Sequence, residues 1–243
     1  MDDFVRCCAN VVKSKEFINS IRAREFFAMT EQKQLNAVKR GRPRAEDAGL
    51  VDQRVLDAAT ELFLSQGFGR TTLDQVSEKS RTGKSSLYGR YANKETLFAA
   101  VVTRSIEEMF ADLGHVPTGR GRKDRLRHLG LELVRVLLTN RCVALMRIVA
   151  AEAATFPKLA TLGYHMSFEG SAQAIAQTLA GSGSEEDIKA MLPPACRFIE
   201  LALQPISFQA TFGRPPEELL AKAPRDVEEA ITLLYVTGQL TDD

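Results

Sequence analysis

The chain has 243 residues, 44% of them hydrophobic and 26% charged, with a formal net charge of +1; this is the profile of an ordinary globular protein, long enough for one large domain or two small ones. No apolar run is long enough to cross a membrane, because the best candidate, CVALMRIVAAEAA, carries Arg147 and Glu152. The four cysteines, Cys7, Cys8, Cys142 and Cys196, fit neither a zinc pattern nor a disulfide framework, so reduced thiols in a cytoplasm, with no metal and no cofactor, are expected.

The first residues, MDDFVRCCANVV, begin with two acids and interrupt a short apolar stretch with Arg6, which is unlike a secretory signal. Residues 1–44 read as an extension and basic arm. Met29 opens a polar stretch of its own, so either translation starts there or the preceding segment is a loosely attached extension. The charges are uneven. From Lys33 to Lys94 there are twelve Lys and Arg against seven Asp and Glu, whereas from Gly181 onward there are five against eleven. The first region suits a polyanion and the last does not.

Helical spacing dominates from Asp52. In DQRVLDAATELFLSQG, Val55, Ala59, Leu62 and Phe63 share a face, with Asp52 as expected cap and Gly67 as expected stop. Thr72 and Gln75 stand at capping-box spacing, which predicts a short second helix. A turn follows, then a third short helix with Thr82 as its expected cap and Leu87 and Tyr91 facing inward. Asn93 is the expected cap of a fourth helix beginning KETLF. The Gly-Lys-Ser-Ser run at 83–86 resembles the end of a phosphate-binding loop, but Glu78 stands where the first glycine of that loop belongs, and a helix precedes it in place of a strand. The nucleotide reading therefore fails. Two short helices around a tight turn make a helix-turn-helix.

The segment GFGRTTLDQVSEKSRTGKSSLYGRYANKETLF, residues 67–98, resembles the TetR family of bacterial transcriptional regulators. The resemblance is carried by Gly67 and Phe68, Thr71 and Thr72, Leu87 and Tyr88, Tyr91, Lys94 and Glu95, and Leu97 and Phe98. Where that family has Gly-Val in the turn, this chain has Arg81 and Thr82, with Gly83 expected to supply the flexibility one residue later. The resemblance implies an all-α protein, in which a three-helix DNA-binding unit at 45–94 is joined to a helical ligand-binding and dimerisation bundle at 95–243. A recognition helix meets base edges with its N-terminal residues, here Gly83, Lys84, Ser85 and Ser86. Lys84 can donate to guanine, and the serines can serve either base type. Thr72 is expected on a phosphate. The resemblance assigns Tyr88 and Lys94 to phosphates as well, although Tyr88 also suits a core. Arg40 and Arg42, kept extended by glycine and proline, suit a narrow minor groove or a solvated linker.

Beyond Gly114 a connector rich in Gly and Pro leads into five more apolar helical stretches. Most prolines there suit first turns of helices, including Pro224, but Pro205 should kink the helix that holds it. Such apolar surface fills a solid core, a ligand cavity or a contact with a partner. For the cavity the candidates are Met109, Phe110, Met146, Glu152, Phe156, Tyr164, His165 and Phe168, a mixture suited to an apolar or amphipathic effector and equally to plain core. The homodimer that the resemblance implies is expected on Phe198, Leu201, Phe208, Ile231, Leu234 and Tyr235. Three scattered histidines without a catalytic constellation argue against an enzyme. The expected function is a ligand-released repressor on a palindromic DNA operator, with a regulator sensing a protein partner, or an activator, as the rival.

Overall fold

The computed structural model describes residues 45–111, 113, 121–181 and 183–241. The expected arm with Arg40 and Arg42, and the Met29 start, lie outside them. All regular structure among the described residues is helical, in agreement with the periodicity. Two compact units divide within the fourth helix, between Arg104 and Ser105.

The first unit contains α1 (Ala45–Arg70), α2 (Leu73–Lys79), α3 (Lys84–Arg90) and the first part of α4 (Lys94–Ala111). Helix α1 begins well before Asp52, so Asp52 is no cap; its carboxylate instead accepts the Tyr91 hydroxyl at 2.8 Å. The helix is interrupted at Gly67, whose φ of 81° a glycine adopts without a Cβ clash. Phe63, Phe68 and Phe98 form a buried aromatic cluster with centroid separations of 4.9–5.8 Å. Leu87, Leu97 and Val55 are buried around it. Each such side chain contributes roughly 1.5–3 kcal/mol by leaving water, so a small unit is held by few residues.

The second unit contains the rest of α4, then α5 (Arg122–Leu137), α6 (Asn140–Glu152), α7 (Pro157–Ala180), α8 (Glu185–Ala190), α9 (Leu192–Phe198), α10 (Gln204–Thr211) and α11 (Pro216–Val236). Helices α5, α7, α9 and α11 enclose the core, where Leu126, Leu133, Ile175, Leu179, Phe198 and Ile231 are fully buried. Phe198 lies against Gly130; a Cβ on that glycine would stand 2.6 Å from the ring. Arginines satisfy carbonyls that helix ends leave open. Arg122 and Arg125 donate to Leu179 and Thr178 at 3.1 and 2.9 Å, and Arg147 donates to Ala210 at 2.8 Å.

Two prolines behave unlike the sequence expectation. Between α9 and α10 the chain makes a π-turn over Ile199–Leu203, and the Gln204 amide reaches back five residues to the Ile199 carbonyl. The wider turn directly precedes Pro205, which has no amide to continue the ladder. At Pro205, where a kink was expected, the helix changes register through this π-turn. Pro224 does not open a helix; it lies inside α11. Both Pro224 and Leu220, whose carbonyl loses its partner, are exposed, so water can serve that carbonyl.

Candidate nucleic-acid interface

Helix α2 starts where its capping box predicts. The Thr72 hydroxyl accepts the Gln75 amide at 3.2 Å, and the Gln75 side chain accepts the Thr72 amide at 2.9 Å. The following turn is closed by a reciprocal pair: the Ser77 hydroxyl donates to the Thr82 carbonyl at 2.6 Å and the Thr82 amide to the Ser77 carbonyl at 3.0 Å. Thr82 is buried by these bonds and does not cap α3; Gly83 does, without a side-chain bond. Nor does Gly83 supply the unusual backbone. Arg81 takes the left-handed conformation, with φ of 53°, while Gly83 has an ordinary φ of −60°. A non-glycine residue there stores about 1–2 kcal/mol.

The turn delivers Gly83, Lys84, Ser85 and Ser86 to solvent at the N-terminal end of α3, with Thr72 exposed at the start of α2. Tyr88 is 48% exposed, and so lies on the surface of the unit. Its neighbours Leu87 and Tyr91 are buried, as expected of packing residues. Burial, reinforced by the bond to Asp52, pushes the Tyr91 phenol well above its usual range. Arg90 lies 3.6 Å from the same Asp52. Lys84 pairs with Asp74 at 2.8 Å, and this hydrogen bond raises the lysine further above its ordinary value.

Lys94 has an additional role that its spacing did not reveal. Its ammonium donates to the carbonyls of Phe68 and Gly69 at 2.8 and 3.2 Å, and lies 4.3 Å from the centre of the Phe68 ring. Lys94 thereby ties the start of α4 to the last turn of α1. Asn93 caps α4 as expected, accepting the Thr96 amide at 2.8 Å. An ammonium carries three donors, and these two bonds use two of them.

In the bundle the candidate effector residues spread over three helices, α4, α6 and α7 with its cap. Met109 and Phe168 belong to the core, and Met146 and Phe110 pack against it. Phe110 lies against Gly170. Tyr164, half exposed, stacks on Phe168 with centroids 5.6 Å apart, and its hydroxyl accepts a long bond from Gln204. Glu152 closes α6 and Phe156 caps α7. His165 is 3.1 Å from a carboxylate that the sequence reading missed, that of buried Glu169. Its signal was the spacing of four residues from His165.

Burial divides the expected pairing set. Phe198, Ile231 and Leu234 are fully enclosed in their own bundle, and Leu201 and Tyr235 are partly buried against it. Side chains without surface cannot meet a second chain. Phe208 is 65% exposed, and beside it stands Phe212, 76% exposed, with ring centroids 4.6 Å apart. Leu233 and Val236 of α11 are exposed too. The spacing of Phe208 and Phe212 was visible in the sequence, but nothing there marked that face as outward.

Residues 55–101 match the sequence model described as "Bacterial regulatory proteins, tetR family", and residues 124–235 match "AefR-like transcriptional repressor, C-terminal domain". The HTH-type transcriptional regulator YdeS of Bacillus subtilis is 32% identical over 114 residues, 46% of this chain and 54% of YdeS. The chain thus spans about half the length of that relative. A TetR-family regulator from Mesorhizobium loti superposes with a TM-score of 0.61 at 22% identity, covering 79% of this chain and 98% of that one. The flavonoid-responsive regulator FrrA superposes with a TM-score of 0.58 at 26% identity, covering 77% and 97%.

Proposed function

Because this chain belongs to the TetR family of transcriptional regulators, we propose that it is a cytoplasmic repressor that binds a palindromic operator as a homodimer and releases it when an effector binds. The observation that carries the DNA half is the exposed end of α3, where Gly83, Lys84, Ser85 and Ser86 stand clear of the core beside Thr72. A helix presented in this way enters a major groove with its first residues on base edges. Lys84 and the two serines read bases, while Thr72, Tyr88 and the spare proton of Lys94 hold phosphates. Arg40 and Arg42 add a minor-groove contact. In this regulator an extension at 1–44 precedes a DNA-binding domain at 45–94 and a bundle at 95–243.

Dimerisation is supported by Phe208 and Phe212, since paired exposed aromatics on α10 and its C-cap are apolar surface that a second copy can cover. The dimer sets two copies of α3 about 34–36 Å apart, matching successive turns of the groove. The effector is an apolar or amphipathic molecule. FrrA, named for its response to flavonoids, shares the fold, and an aromatic effector agrees with the stacked Tyr164 and Phe168 and the polar pair His165 and Glu169. An effector releases DNA only by as much as it favours one bundle conformation over the other.

Selection of bound fragments from genomic DNA tests the reading. It predicts enrichment of a palindromic sequence whose affinity falls steeply with salt. Affinity unmoved by any small molecule, flavonoids included, would favour a regulator that senses a protein.

A further inference from the structure

Lys84 opens the recognition helix, and in the free chain its ammonium is held by Asp74, 2.8 Å away. The two side chains are 64% and 57% exposed, so the pair belongs to the surface. Asp74 stands in the first turn of α2, between Thr72 and Gln75 of the capping box. An acid therefore occupies the same exposed end as Thr72, Lys84 and Ser85. A first-turn acid is locally favourable for α2, yet that benefit requires no contact with Lys84, which lies on the next helix.

On a surface that approaches phosphates, a carboxylate opposes every duplex alike. Its pairing with Lys84 makes the opposition selective. Non-specific binding rests on neutralising phosphates, and a Lys84 already paired contributes little to it. A guanine edge offers O6 and N7 to the same ammonium, and a neighbouring cytosine offers its amino group to a carboxylate. Exposed ion pairs are weak, so the exchange is easy once such an edge is in reach. We propose that Asp74 is a specificity-determining residue, which retains Lys84 on non-specific DNA and yields it where guanine and cytosine edges take both partners. The inference rests on α3 being the major-groove helix.

The test titrates the full chain and its Asp74→Asn variant, across a salt series, into a short random-sequence duplex and a fragment selected from genomic DNA. For Asp74→Asn, affinity for the random duplex should rise roughly 3–10-fold, and the salt slope should steepen by about one. Affinity for the selected fragment should rise less, so the ratio between the two falls several-fold. Asp74→Ser, which keeps a side chain suited to a helix start, should do the same and guards against a folding defect in the first variant. Asp74→Glu should keep the ratio near that of the parent chain. In a Lys84→Met background, removing the Asp74 charge should leave the ratio unchanged. Equal rises on both DNAs, no rise on either, or the same fall in ratio without Lys84 would overturn the inference. Failure of the unaltered chain to bind either duplex would overturn the major-groove reading itself, and the inference with it.

Discussion

At the α2–α3 end of the DNA-binding unit the exposed side chains include Thr72, Asp74, Lys84, Ser85 and Ser86; on α10 of the bundle and at its C-cap they include Phe208 and Phe212. The first group is content in water, and only a partner with matching charge and hydrogen-bonding groups adds to its stability. The second is apolar surface that water disfavours and a second apolar surface would cover. The units also differ inside. The DNA-binding unit depends on one aromatic cluster, whereas the bundle distributes burial over α5, α7, α9 and α11. One unit thus concentrates its core in few side chains and exposes mainly polar groups at its α2–α3 end. The other is robust in its core and incomplete at its surface.

Substitutions put that contrast to the test. The largest expected effect is on the small core: Phe63→Ala should destabilise the DNA-binding unit by about 3–5 kcal/mol, seen as a first, separate melting transition by circular dichroism. Next, replacing both Phe208 and Phe212 by serine should yield monomers by sedimentation and lower operator affinity by roughly 100-fold, since the second half-site is no longer tethered. The bundle's own melting should be little changed. Gly130→Ala pushes a methyl group into the Phe198 ring and should cost about 1–3 kcal/mol. That is less than the loss of Phe63, as the contrast requires.

A gain is expected in the turn. Arg81→Gly removes the left-handed strain and should stabilise the DNA-binding unit by about 1 kcal/mol. The smallest effect is electrostatic. Hydrogen bonds from Arg127 and Lys123 hold the Glu228 carboxyl down to about 2, from an ordinary 4.5. Its contribution is therefore present above the ordinary value and lost as pH falls towards 2. The group is partly exposed and screened, so Glu228→Gln should cost less than about 1 kcal/mol at pH 7, and nothing near pH 2. Denaturant titrations at both pH values measure the difference.

The same contrast explains what the sequence disclosed. Helix caps are local, so the starts of α2 at Thr72 and of α4 at Asn93 could be read directly. Thr82 was misread because its neighbours, not its own type, decide its role: Ser77 draws it into the turn and leaves Gly83 as the cap. Arg81 was unreadable for a related reason, since a strained arginine looks like any other until the turn around it is closed. In the bundle, periodicity identified apolar faces but could not say what covers each one. Phe198, Ile231 and Leu234 share their chemistry with Phe208, yet three face their own core and one faces solvent. The partners that determine this lie far away in the chain. Glu169 was overlooked because burial, not residue type, makes a carboxylate unusual.

The central claim is that the start of α3 reads base edges in the major groove. Protection of guanine N7 from methylation, on a fragment selected from genomic DNA, tests it most directly. Two protected patches about one helical turn apart are expected, both weakened when Lys84 is replaced by alanine. Guanines left open along the bound fragment, or protection indifferent to Lys84, would contradict it.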